Sequence, residues 1–368
     1  MKAKQRPNNL IDKLFIWVNV FLCIGLLISY LAPAVDPKKI WPIAFFGLAY
    51  PFLLLGNVIL IIYWLFRKKI WMLLSVITIA VGWKVLNTNI GLRFPSPFGR
   101  KKENELRLMT YNVHNFKRYG AKNDISTKHE ILEIIADQQP DIVGFQEFYT
   151  RNHGQYDMLD SIQKILKCNN YFFEAVRSNR DEAIGIALFS KYPIIAHGLI
   201  PLAERSSENQ CLYIDVKKGH RIIRVYSVHL QSIRFDPDDY RYLNNVQQGK
   251  PEVGSTKRLG IKLKSAFLKR SEQVFKIKNH ADSCSYPYII SGDFNDTPAS
   301  FAVNQMSKEL KNAFREKGWG LGRTYNGSFP NYQIDYIMAS KQFNITGYDI
   351  IEKRLSDHYP VCSDLLLK

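Results

Sequence analysis

Cysteine is scarce and scattered. The chain has Cys23, Cys168, Cys211, Cys284 and Cys362, with no CxxC unit and no zinc-ligand spacing. A structural zinc site is excluded on that ground. The four cysteines beyond residue 104 leave disulfides and buried thiols equally open. Internal repeats and low-complexity linkers are also missing, which excludes a repeat array. Charge is missing from long stretches: Leu14 to Leu31 and Trp41 to Phe66 carry none, and Ile70 to Leu92 carries only Lys84, with Trp71 and Trp83 placed as interface anchors. A buried helix of a soluble domain explains one such run, not three in succession. The first run has no convincing small-residue cleavage site and is followed at once by another apolar run, which argues against a cleaved signal peptide. Transmembrane segments are therefore expected over 14–33, 41–66 and 70–92.

Positive charge is unevenly distributed. The formal net charge is +17, but residues 1–103 hold 14 Lys or Arg against 3 Asp or Glu, and residues 104–368 hold 36 against 30. Most of the excess thus belongs to membrane topology rather than to a nucleic-acid footprint. Lys2, Lys4, Arg6 and Lys13 precede the first run, and Arg67, Lys68 and Lys69 separate the second from the third. The positive-inside rule puts both groups in the cytoplasm. If Ile70–Leu92 crosses, the remainder of the chain lies outside; if it lies along the surface, as Arg93, Arg100, Lys101 and Lys102 argue, the remainder stays inside. Its length favours crossing, so an external or periplasmic domain on a multi-pass cell-membrane anchor is the expectation. A local basic stretch between Lys250 and Lys278 fits either a solvated helix face or a phosphate-facing surface.

Residues 104–368 are long enough for one domain with a large core. Apolar or alternating runs recur at 106–113, 142–145, 184–189, 212–216, 222–230, 288–291, 333–338 and 361–367, with helical patterns at 128–137, 158–166 and 265–282. Strands in direct succession around 184, 212 and 222 require an antiparallel component.

Polar clusters stand at the ends of these runs: Tyr111-Asn112, Gln146-Glu147, His229, Asp293-Phe294-Asn295, Ile334-Asp335 and Ser356-Asp357-His358. A phosphodiester resists attack because its oxygens are negative, so a hard divalent cation accelerates the step. Glu147, after an apolar run, offers a hard oxygen at a strand end. Asp293 and Asn295, one residue apart, share a face if the segment is extended; an Asx turn before Thr297-Pro298 is the plainer reading. Asp357 and His358 divide naturally into cation ligand and phosphate-facing imidazole, with His358 a general base or a charged donor. His114 reaches the same rim or is a loop residue. Arg180 and Glu182 are candidate substrate contacts or ordinary surface charge. Thr324-Tyr325-Asn326-Gly327 is first of all a turn signal.

Six segments, Leu108–Val113, Asp141–Glu147, Tyr226–Leu230, Ser291–Asp296, Gln333–Ile337 and Ser356–Val361, occur in one order across the whole soluble part. In this the chain resembles the endonuclease/exonuclease/phosphatase superfamily, the deoxyribonuclease I-like hydrolases, in a membrane-anchored bacterial-type form. The resemblance implies an α+β four-layer α/β/β/α sandwich over 104–368, preceded by an anchor of two or three transmembrane helices over 1–103. It implies Mg²⁺, with Mn²⁺ as substitute, held by Glu147, Asp357 and Asn112. It gives Asp293 the attacking water, Asn295 the charged transition state, Asp335 the orientation of His358, and His229 the leaving side. The expected activity is phosphodiester hydrolysis of nuclease type. A phospholipid or sphingomyelin phosphodiesterase is the alternative, and a non-catalytic docking module is disfavoured because a scaffold has no need of so many converging polar groups. No motif of an inositol phosphatase and no DNA-intercalating insertion directs the choice. Expected partners are the lipid bilayer and a nucleic-acid or phospholipid substrate, with no obligate protein partner.

Overall fold

The structure, a computed structural model, describes residues 10–93, 98–117, 125–203, 207–233, 235–250, 252–327 and 330–368. Lys2, Lys4 and Arg6 lie outside the described residues. The chain divides into two compact units, one reaching to Ile90 and including Thr297–Gln305, the other formed by Gly91–Asp296 and Met306–Lys368.

Among the described residues, helix α1 (Leu10–Ser29) of the first unit alone is continuous, long and apolar enough to cross a membrane. The second apolar run is broken into α2 (Pro42–Leu48) and α3 (Tyr50–Phe66), bent by 59°, and the third into α4 (Met72–Val81) and α5 (Trp83–Asn89), bent by 74°. Straight spans over 41–66 and 70–92 are therefore not what forms; each bent pair passes for one span only when taken together. One break has a local cause and the other a long-range one. Pro51 lies in the first turn of α3, where its missing N–H costs nothing. Gly82 stands where a Cβ would fall 2.0 Å from Tyr30 Cζ, and the Tyr30 hydroxyl donates to the Thr78 carbonyl at 3.0 Å. Polar side chains tie α1, α3 and α4 together: Asn19 donates to Ser75 (2.6 Å), Ser75 to Asn57 (2.8 Å) and Trp64 Nε1 to Asn19 (3.0 Å). Hydrogen bonds between buried amides and hydroxyls of this kind hold the helices together, because each would be costly to leave unmade. At one end of the bundle Asp12 accepts from Arg67 at 2.6 and 3.1 Å and from Tyr63 at 2.8 Å.

The second unit is built on two six-stranded sheets. Strands β1 (Leu106–Asn112), β2 (Ile142–Arg151), β3 (Asn170–Ser178) and β4 (Glu182–Ser190) are followed by β5 (Ile194–Pro201), β6 (Gln210–Lys218), β7 (Arg221–His229) and β8 (Tyr288–Asp293). Then come β9 (Leu310–Asn312), β10 (Asp335–Ser340), β11 (Phe343–Ile350) and β12 (Val361–Leu367). The first sheet runs β11-β12-β1-β2-β4-β3 and the second β9-β10-β8-β7-β6-β5. Each is antiparallel except for one central parallel pair, β1 with β2 and β7 with β8. Parallel neighbours need a crossover. Helix α6 (Ile125–Gln138) supplies the first, and α8 (Pro237–Gln247) with α9 (Val253–Asp282) the second.

The inner faces of both sheets meet in one core that includes Leu108, Ile142 and Leu188 from the first sheet and Leu212, Val225, Ile289 and Ile337 from the second. On the outer face of the first sheet Met109, Val143 and Phe145 pack with Ile131, Ile134 and Ile135 of α6 and with Met158 and Ile162 of α7 (Met158–Leu166). Helix α9 buries Phe267, Val274, Ile277 and Ala281. Helix, sheet, sheet, helix is the expected four-layer sandwich.

Phe148, fully buried, packs edge-on to Phe116 at 5.4 Å and against Phe145 and Phe173. Phe148→Ala should lower the unfolding free energy by about 3–5 kcal/mol, read as a shift in urea denaturation followed by circular dichroism; a loss below about 1 kcal/mol would contradict this packing.

Candidate active site

The central strands deliver their polar ends to one place. In the second sheet, His229 at the end of β7 stands opposite Asp293 at the end of β8, and Asp293 stands opposite Asp335 at the start of β10. These three side chains form one row across three strands. Gly292 prepares the row: its φ is +140°, and a Cβ there would lie 2.0 Å from the Val228 carbonyl oxygen, so only glycine fits before Asp293. In the first sheet, Asn112 ends β1 opposite Gln146 of β2.

Glu147 does not simply follow a strand. It sits inside β2 at a break in register between Phe145 and Phe148, with φ +51°. Such a bulge re-aims a side chain. Gln146 turns inward and donates to Ser227 of the second sheet at 2.9 Å, while Glu147 turns towards the polar row.

The Asn112 amide nitrogen donates to Glu147 Oε1 and to Asp293 Oδ2, both at 3.1 Å, so one side chain holds an acid from each sheet. Its carbonyl oxygen accepts the His114 backbone N–H at 3.1 Å. Asp293 and Asn295 are brought together by a turn rather than by an extended segment. Asn295 has φ +53°, its N–H donates to Asp293 Oδ1 at 2.8 Å, and its amide nitrogen lies 3.2 Å from Asp293 Oδ2. Phe294 points into packing against Tyr336.

His358 Nδ1 meets Asp335 Oδ2 at 2.9 Å, and its Nε2 faces Asp293 Oδ2 at 3.6 Å. All three are buried, and one ligand atom from each lies within 4.8 Å of the others, a spacing able to hold a cation. Asp357 stands at a second position. His114 Nδ1 lies 3.4 Å from Glu147 Oε2 and 3.7 Å from Asp357 Oδ1, which puts both carboxylates beside a single imidazole at the rim. His229 is 3% exposed and approaches Asp293 at 3.7 Å and Glu147 at 3.9 Å through Nε2, yet neither ring nitrogen has a hydrogen-bond partner among the described residues. A buried imidazole without a protein partner is costly unless an ordered water or a ligand satisfies it.

Titration follows from these distances. Burial works against ionisation of Glu147, but the His114 hydrogen bond, the nearby His229 and His114, and the Asn112 amide outweigh it and hold its carboxyl at about 2. Asp293 is pushed up by burial and by Asp335, against the opposing pull of His358 and His229. His358 is raised well above 6.5: burial lowers it, but Asp335 and Asp293 dominate.

Several supporting residues were not legible as site residues. Buried Thr324 accepts the backbone N–H groups of Ile334 and Asp335 on its hydroxyl at 2.9 and 3.0 Å, and Tyr325 packs edge-on to the His358 ring at 5.5 Å. The Ser356 hydroxyl donates to the Asn112 carbonyl at 2.8 Å. A turn signal and a serine next to Asp357 were the sole clues. Glu182 is engaged by Tyr149 at 2.5 Å and by Arg151 at 3.4 Å, and the Arg180 carbonyl accepts from Asn152.

Over residues 109–358 the sequence matches the endonuclease/exonuclease/phosphatase family model, and a second model, described only as a domain of unknown function, matches residues 12–89. The chain belongs to the endonuclease/exonuclease/phosphatase family, whose members are hydrolases and are typically dependent on a divalent metal. No curated protein matches it. Among solved structures, the endonuclease/exonuclease/phosphatase from Beutenbergia cavernae DSM 12333 is similar with a TM-score of 0.51 and 19% identity, over 73% of this chain and 72% of that one. A family protein from Bacteroides thetaiotaomicron is similar with a TM-score of 0.50 and 16% identity, over 73% of this chain and 100% of that one. These likenesses establish the fold.

Because its folded pKa is raised, the protonated His358 contributes stability that is fully present below about pH 6.5 and is lost as pH rises through the folded value. Its imidazole should accordingly hold its proton to a higher pH than a free histidine does. In Asp335→Asn its titration, followed by the ring proton resonances in NMR, should move downward; an unmoved midpoint would show that Asp335 does not hold the proton.

Proposed function

We propose that the chain is a membrane-anchored, metal-dependent phosphodiester hydrolase of nuclease type, with residues 1–103 as anchor and 104–368 as catalytic domain. The observation that carries this reading is the His229 imidazole, buried without a partner beside Asp293 and Glu147, in front of an Asp335–His358 pair.

Glu147 and Asp357 suit a hard cation: both are carboxylates, both face the rim, and both lie beside one imidazole nitrogen. Asn112 fixes Glu147 in place. Mg²⁺, or Mn²⁺ in its stead, would draw negative charge from the phosphoryl oxygens when bound. The remaining work belongs to the protein. Asp293 accepts a proton from the attacking water as its oxygen bonds to phosphorus. Asn295 and protonated His358 donate hydrogen bonds to the phosphoryl oxygens as charge builds on them. The ester P–O bond breaks, and His229 gives a proton to the departing alkoxide. Asp293 and His229, 3.7 Å apart, then return the proton between them. The raised His358 favours its role as charged donor over that of base.

Activity on bis(p-nitrophenyl) phosphate should disappear in EDTA and return with Mg²⁺ or Mn²⁺. Asp335→Asn should lower kcat by about 10²–10⁴ with little change in KM. Hydrolysis in EDTA, or an unaltered kcat in the variant, would refute the mechanism.

For the anchor we propose a multi-pass arrangement in which each bent pair crosses once, leaving the catalytic domain external or periplasmic. The Asp12–Arg67 pair supports it, since it brings the start of α1 and the end of α3 to the same end of the bundle, as the positive-inside rule requires of Lys13 and Arg67. Alkaline phosphatase joined after Lys368 should be active, and a cytoplasmic fluorescent reporter at the same place dark. The reverse pattern would put the domain inside.

A further inference from the structure

We infer that the groove along helix α9 binds the continuation of a polynucleotide strand whose scissile phosphate lies among Glu147, Asp293 and His358; this rests on the phosphodiesterase reading. The groove has a volume of about 820 Å³ and is lined by Ser232, Ile233, Ile261, Lys262, Lys269 and Lys276 among others, with Glu272 the one acid among the described residues.

Charge singles out this helix. Val253–Asp282 carries eight Lys or Arg against two Asp or Glu, an excess of six, and residues 104–368 as a whole have the same excess. All the surplus positive charge of the domain is therefore matched by one element. Lys262, Lys269 and Lys276 recur every seven residues, so they share a face and span about 21 Å. Lys262 is neutralised by Asp236 and Asp239, but Lys269 and Lys276 have no ion pair among the described residues.

The groove is joined to the catalytic centre through short bonds. Its wall includes Gln231 and Ser232, which leave β7 just after His229. Buried Arg270 of α9 donates to the Gln231 carbonyl at 2.7 Å and pairs with Asp296 at 3.4 Å, while Gln273 accepts the Gln231 N–H at 2.8 Å. The intervening Leu230 carbonyl accepts from Asn295 at 3.1 Å. A strand leaving the catalytic centre along this loop meets the lysine row next.

A linear polyanion matches a linear row of cations. A diester lipid would spend its single phosphate at the catalytic centre and leave none for Lys269 and Lys276. The Ile233 and Ile261 side chains, the latter exposed, offer apolar contact to sugars and bases between phosphates.

The test uses the full chain in detergent, with fluorescein-labelled oligothymidylate of twelve nucleotides, by anisotropy in EDTA between 50 and 200 mM KCl. Lys269→Gln combined with Lys276→Gln should make the dependence of log Kd on log salt shallower by about 1.4, two single-strand phosphate contacts, with an unchanged circular dichroism spectrum. An unaltered slope overturns the proposal. So does a variant that keeps the unmodified chain's oligonucleotide affinity at 50 mM KCl. Hydrolysis of bis(p-nitrophenyl) phosphate by the unmodified chain in Mg²⁺, run alongside, tests the phosphodiesterase reading separately.

Discussion

One amide ties the acids of the two sheets together. The Asn112 nitrogen reaches Glu147 in its own sheet and Asp293 in the other at equal distances, so the spacing between the two sheets is fixed where the acids meet. Gln146, donating to Ser227 across the same gap, repeats the device one residue earlier. The packed core beneath sets the sheets roughly apart, but apolar contact is non-directional. Hydrogen bonds between buried groups set the final geometry, because each would be expensive to leave unmade.

The second sheet contributes order of another kind. His229, Asp293 and Asp335 hold their places through strand register, and a slip by one residue would turn each of them to the opposite face. Two centrally placed parallel pairs put the relevant strand ends on the same side, and Thr324 and Ser356 fasten the loops that carry Asp335 and the Asp357–His358 pair. Precision thus comes from sheet register for one half of the cluster and from loop hydrogen bonds for the other.

The sequence pattern located all the inner strands of both sheets, and what it missed was systematic. The strands it did not reveal, Asn170–Ser178, Ile194–Pro201, Leu310–Asn312 and Phe343–Ile350, are the four sheet edges. An edge strand is covered on fewer sides, so its composition is freer and its alternation blurred. The polar clusters at strand ends were visible because they interrupt apolar runs. Their geometry was not: the bulge at Glu147 and the left-handed Asn295 depend on backbone angles that the residue types do not announce. The apolar runs near the start were plain by composition, whereas the bend at Gly82 answers to the Tyr30 ring, 52 positions earlier in the chain. Long-range packing of this sort leaves no local signal.

Thr297–Gln305 completes the first unit although it follows that unit's other residues by some two hundred positions. Ala299 packs with Leu26 and Tyr50, a Cβ on Gly47 would stand 2.9 Å from the Ala299 carbonyl, and Asn304 donates to the Pro33 carbonyl at 2.7 Å. During synthesis the helices therefore emerge long before their last packing partner. They must wait, incompletely packed, until most of the second unit has been made, and the seven strands from Leu106 to His229 leave the ribosome in that interval. The chain path is therefore interleaved between the two units rather than sequential.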